Sequence, residues 1–142
     1  MDKFININNL STMVNKHLEN NKLSTFPIEK YNLENILEYI HFKKNDYYKN
    51  IIYKSKLFEI IIISWWKGCK TNFHNHPKNG CILKVIFGQL QENLLTKSKN
   101  TINIMSDNDY SYLDDSIGIH QIEALTHSLS LHIYSPSGFY DK

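Results

Sequence analysis

GCKTNFHNHPKNGCILKVIFG, residues 68–88, is the stretch on which the fold turns. His74 and His76 lie two residues apart. Side chains of an extended strand alternate between faces, so both imidazoles emerge on one side. Such a pair can grip one metal ion, although HxH at a sheet edge also arises as ordinary surface polarity. Pro77, Asn79 and Gly80 predict a turn, and Cys81 to Phe87 reads as a second strand closed by Gly88. The turn returns Cys81 to the neighbourhood of the histidines.

Outward from this hairpin, from Asn50 on, the chain is a series of short β-rich runs separated by turn residues. The predicted strands are Asn50 to Tyr53, Leu57 to Trp66, Cys81 to Phe87, Gln89 to Leu95, Thr101 to Met105, Tyr110 to Leu113, His120 to Ala124 and Leu129 to Tyr134. Upstream, the period lengthens. Leu10, Met13, Val14 and Leu18 recur at helical spacing with Ser11 as a candidate cap, and Leu33, Ile36, Leu37 and Ile40 repeat the pattern behind Asn32. Pro27 falls in the break between them. The expected fold is mainly β: a barrel or jelly roll over residues 46–142, with two short helices from residues 1–45 packed outside it.

At 142 residues and 16.8 kDa the chain reads as one domain, long enough to close a hydrophobic core without disulfides or a structural metal. Any metal is therefore expected to be functional. The net charge of +2 comes from scattered lysines with no cluster resembling a nucleic-acid footprint. All sixteen basic residues are lysine, so a lysine where arginine might stand is weak evidence of altered function. The apolar run Ile60 to Ile63 is too short to span a bilayer, and MDKFININN lacks a signal-peptide layout. A cytosolic monomer with no nucleic-acid or membrane partner is expected. There the two cysteines, Cys69 and Cys81, stay thiols.

The second half supplies further chemistry. His120 begins a strand just after Gly118 and is the natural third ligand to join His74 and His76. Ser130, His132 and Tyr134 alternate with Leu131 and Ile133, so the three polar side chains share a face. That face is either solvated or an inner one where the three satisfy each other. Three neutral imidazoles leave a bound ion its full charge and open positions. Such a site suits non-haem iron with a substrate that brings its own anion, or zinc with water.

The motifs GCKTNFHNHPKNGCILKVIFGQL, DDSIGIHQIEA and SLSLHIYSP, in this order and spacing, resemble the thiol dioxygenases of the cupin superfamily, most closely the cysteine dioxygenases. The resemblance runs from Tyr47 to Pro136. It implies a cupin β-barrel holding Fe(II) through His74, His76 and His120, with a small thiol and O2 as partners and a sulfinate as product. It further implies that Cys81 stands where animal-type enzymes carry a cysteine thioether-linked to a tyrosine, here Tyr134. Ser130, His132 and Tyr134 match the family's hydrogen-bonded row. Tyr47-Tyr48-Lys49-Asn50 is similar to the family's Tyr-x-Arg-Asn, whose arginine pairs with the substrate carboxylate; Lys49 supplies the charge without the planar fork. Ala124 stands where the family usually has Asn, and the residues after Tyr134 depart from those of animal members.

The expected activity is oxidation of free L-cysteine to cysteine sulfinate. Alternatives are the same chemistry on 3-mercaptopropionate or cysteamine, a non-catalytic cupin that binds metal or thiol, and a zinc cupin. Cys69, His17, His41 and His127 are assigned no role.

Overall fold

The computed structural model describes residues 3–140. Its centre is a five-stranded antiparallel sheet of β3 (Tyr47–Lys54), β4 (Glu59–Trp65), β10 (Ser128–Tyr134), β5 (Cys81–Phe87) and β8 (Tyr110–Leu113), side by side in that order. A second antiparallel sheet, in the order β7 (Asn100–Met105), β6 (Leu90–Leu95), β9 (Ile119–Ala124), lies against one face. A parallel pair, β1 (Lys3–Ile5) and β2 (Tyr31–Leu33), joins the N-terminal segment.

The central strands β4 and β10 are buried on both faces, which explains why β4 carries the continuous run Ile60 to Ile63 in place of the alternation of a half-exposed strand; β10 does alternate, yet its polar residues are buried too. One set of side chains, Ile61, Ile63, Trp65, Leu83 and Val85, meets Leu90, Met105, Ile122 and Ala124 of the smaller sheet. The other set, Ile60, Ile62, Ile82, Leu129, Leu131 and Ile133, packs under Leu10, Val14, Leu23, Phe26 and Ile28 of the N-terminal layer. Strand period two thus divides each sequence between two cores.

Helix α1 (Ile7–Leu18) begins one turn earlier than Ser11 would place it. Asn6 caps it by accepting from the Asn9 amide at 2.8 Å, while the Ser11 hydroxyl donates back to Asn8 O from inside the helix. Lys16 and His17 in its last turn oppose the negative end of the helix dipole. The second helix is shorter than its periodicity predicts. Leu33 ends β2, Asn35 adopts a left-handed φ of 56°, and only Ile36–Tyr39 turns, as a 3₁₀ helix with Leu37 81% exposed. Pairing of Tyr31–Leu33 with β1 captures in a strand the residues that would have begun the helix.

Cys81–Phe87 and Tyr110–Leu113 coincide with their predicted bounds; the other strands shift at their ends. β3 starts at Tyr47 because the ladder with β4 extends to Tyr47 opposite Trp65. The short pair β1 and β2 was not predicted, three residues being too few to set a pattern. Lys84 of β5 is buried beneath the N-terminal layer, where its ammonium donates to the Tyr31 and Ile28 carbonyls at 2.6 and 3.3 Å. Among the described residues no helix is long and apolar enough to cross a membrane.

Candidate metal centre

The two histidines of the opening stretch are not on a regular strand. Residues 68–74 run beside β9 through scattered backbone bonds: Gly68 N to Ala124 O, Thr71 N to Ile122 O and His74 N to His120 O, at 2.8, 2.9 and 3.1 Å. The last is an antiparallel bridge that sets His74 directly opposite His120. His76 lies two residues on, its amide held at 2.8 Å by the Asp115 carboxylate. The expected turn follows, with Gly80 N donating to Pro77 O at 2.9 Å and Gly80 at φ 86°. A side chain at Gly80 would strike the Tyr112 phenol and the Leu113 carbonyl, so glycine is required there on both counts.

The structure brings His74, His76 and His120 together, with one ring nitrogen of each inside a common 4.8 Å span. Nε2 of His74 and Nε2 of His120 are 3.0 Å apart. The opposite nitrogens are engaged from behind. His120 Nδ1 bonds a buried Glu92 carboxylate oxygen at 2.9 Å, and His74 Nδ1 bonds the Asn72 carbonyl at 2.9 Å. A carbonyl can only accept, so His74 carries its proton on Nδ1 and turns a bare Nε2 inward; Glu92 favours the same tautomer in His120. His76 is 2% exposed; its Nδ1 lies 3.4 Å from an Asp115 carboxylate oxygen, and among the described residues its Nε2 has no hydrogen-bond partner. Leaving such a group without a partner is costly, and a ligand shared with its two neighbours would remove the cost.

Burial lowers the pKa of His74 and His76 to about 4, and the mutual proximity of the imidazoles adds to it. Both rings are therefore neutral at physiological pH, as a metal ligand must be. Burial pushes the Glu92 carboxyl up, but the hydrogen bond with His120, with a further one from Asn103, outweighs it and leaves Glu92 below its ordinary value. The donor set thus fits a divalent first-row metal ion, with nitrogen ligands and Glu92 behind one of them.

His74 and His120 of the triad line a cavity of about 210 Å³, together with Tyr47, Lys49, Cys81, His132, Tyr134 and Tyr140. That volume suits an amino-acid-sized molecule rather than a large ligand. Ser130, His132 and Tyr134 occupy the inner face of β10 and are buried. They form a chain: Trp65 Nε1 donates to Ser130 Oγ at 2.8 Å, Ser130 Oγ meets His132 Nε2 at 2.7 Å, and His132 Nδ1 meets the Tyr134 hydroxyl at 3.2 Å. Burial raises the pKa of the Tyr134 phenol well above its ordinary value and lowers that of His132. Cys81 stands opposite Tyr134 in the β5–β10 ladder; burial pushes its thiol up, while a hydrogen bond with Tyr134 acts the other way. Cys69 is buried outside this group, its thiol pushed by burial up to about 11, which leaves it unreactive near neutral pH.

Glu92, Asp115 and Tyr140 received no role from the sequence. Glu92 was legible in principle, because Leu90, Glu92 and Leu94 share a parity that should face a core, and a carboxylate there needs a partner. Tyr140 lies beyond the last strand, where no periodicity announces a side chain's direction.

Among solved structures, a RmlC-like cupin protein from Desulfovibrio desulfuricans covers 72% of this chain and 94% of its own, with a TM-score of 0.60 at 18% identity. KdgF from Halomonas sp. covers 69% and 86%, with a TM-score of 0.57 at 17% identity. These likenesses show the cupin fold. Cysteine dioxygenase type 1 of Homo sapiens is 32% identical over 110 residues, 69% of this chain and 55% of the human protein. That of Danio rerio is 27% identical over 118 residues, 74% and 59%. The chain spans a little over half the length of these curated relatives. The family model described as cysteine dioxygenase type I matches residues 6–140, a span that takes in the three histidines, Glu92 and every residue lining the cavity, and on that match the chain belongs to the cysteine dioxygenase type I family.

Proposed function

We propose that this protein is a thiol dioxygenase that oxidises free L-cysteine with O2 to cysteine sulfinate, using Fe(II) held by His74, His76 and His120. The observation that carries the reading is three converging imidazoles, two of which, His74 and His120, line one cavity with a cationic side chain and a buried phenol. The reaction balances without another reductant: both atoms of O2 pass to sulfur, whose four-electron oxidation matches the reduction of the dioxygen. Bound Fe(II) supplies open coordination positions and the redox chemistry that lets dioxygen react with a thiolate.

The chain's own residues do the rest. Lys49 places its ammonium on the cavity wall and pairs with the substrate carboxylate, which orients the thiol end toward the imidazoles. Tyr47, packed on Trp65 with ring centroids 5.3 Å apart, forms the wall beside it. Indole is only a donor, so Trp65 fixes one end of the hydrogen-bond chain. With the Ser130 proton directed to His132 Nε2, His132 donates from Nδ1 to the Tyr134 oxygen, and the Tyr134 proton points into the cavity. Because burial keeps that phenol protonated, it donates a hydrogen bond to the reacting sulfur or oxygen. Cys81, opposite Tyr134, is the partner for a thioether that would lock the ring.

Oxygen uptake by iron-loaded protein given cysteine, with the product identified by mass, tests the proposal. Cysteine sulfinate formed with matched oxygen consumption is expected. Faster turnover of 3-mercaptopropionate or cysteamine would reassign the substrate, and no uptake with any of the three would leave a metal-binding cupin without this activity.

A further inference from the structure

Tyr140 has no counterpart among the motifs on which the function rests, yet it lines the cavity and contacts three of its other residues. Its ring lies under the Lys49 ammonium, with Nζ 4.6 Å from the ring centroid. It meets Tyr134 edge-on at 5.1 Å and 74°, and His74 at 6.0 Å and 81°. Its hydroxyl donates to the carbonyl of Asn75, the residue between the two paired histidines, at 2.6 Å. The backbone leading to it is tied down as well: Gly138 N donates to the buried Glu59 carboxylate at 3.3 Å.

We propose that Tyr140 is the positioning residue for Lys49, the two forming a carboxylate clamp that distinguishes thiols bearing a carboxylate from those without one. This rests on the dioxygenase reading above, in which Lys49 takes the carboxylate. A lysine is a point charge on a flexible four-carbon stem and lacks the planar, pre-organised fork of arginine. The negative face of an aromatic ring attracts an ammonium and fixes where it resides. Latched to Asn75, the Tyr140 ring supplies from outside the lysine the restraint that an arginine carries within itself. A ring face engages the cation without consuming an N–H.

Equilibrium binding separates this from a simple wall. Cysteine and cysteamine, which lacks the carboxylate, are titrated anaerobically by calorimetry into Fe(II)-loaded wild type, Tyr140→Phe, Tyr140→Leu and the double variant Lys49→Arg/Tyr140→Leu. Wild type should prefer cysteine, and Tyr140→Phe, which keeps the ring, should retain that preference. Tyr140→Leu should weaken cysteine about five- to thirtyfold, the span of a partly to fully desolvated cation–π contact, and leave cysteamine unchanged. Adding Lys49→Arg should restore the cysteine affinity. Should Tyr140→Leu lose its iron, Tyr140→Met carries the same comparison. Equal weakening of both thiols, or a Phe variant that behaves like Leu, overturns the clamp. So does a cysteine affinity in Tyr140→Leu equal to that of the wild type. A wild type that binds neither thiol overturns the dioxygenase reading itself and the clamp with it.

Discussion

At the scale of single residues, the site depends on which ring nitrogen each histidine presents. Glu92 behind His120 and the Asn72 carbonyl behind His74 hold protons on Nδ1 and leave Nε2 bare. Replacing Glu92 with Ala should lower metal affinity about 10- to 100-fold, read by competition against a chelator of known affinity. An unchanged affinity would mean that His120 needs no carboxylate behind it. His120→Ala should lose stoichiometric metal while its far-UV circular dichroism stays that of the wild type; full metal content would contradict the triad. His74, His76 and His120 were legible because residue type and order are local facts. Glu92 was harder, since its partner is 28 residues away and only the sheet register sets them within 2.9 Å.

At the scale of elements, β5 and β10 set Cys81 against Tyr134 by ladder register rather than by any local signal. A thioether there removes one hydrogen from sulfur and one from the ring, with O2 accepting the two electrons as peroxide. Intact mass after turnover should show wild type lighter by two hydrogens and Cys81→Ser at its calculated mass, with oxygen uptake persisting in the variant. Wild type at its calculated mass after prolonged turnover would count against the link. The strands themselves could be read from β-branched runs and turn residues. The second helix was misjudged in length, because a 3.6 period cannot reveal that Tyr31–Leu33 finds a parallel partner in β1. Likewise HxH promised a strand, but His74 and His76 lie on an irregular edge held by β9 and Asp115.

At the scale of the whole molecule, the large sheet separates two cores with different duties. The N-terminal layer stabilises one face, and the other carries the cavity. Leu10 is 1% exposed in the first of these. Leu10→Ala should cost about 2–5 kcal/mol in urea unfolding, whereas metal affinity under native conditions should be unchanged. A parallel fall in metal affinity would show the sheet to be a transmitter rather than a partition. The sequence announced helices outside a barrel. It could not show that they cover one face of β4 while the smaller sheet covers the other, since a run such as Ile60 to Ile63 says how much is covered and not by what.

The placement of Trp65 has an optical consequence. Its indole is 1% exposed, lines the cavity and donates its N–H to Ser130, whereas Trp66 next to it is only partly buried and packs edge-on against the exposed ring of His127. Excited together, the two should emit at different wavelengths, the deeper one to the blue. Quenching confined to that blue component would report loading of the cavity in real time, with no label attached.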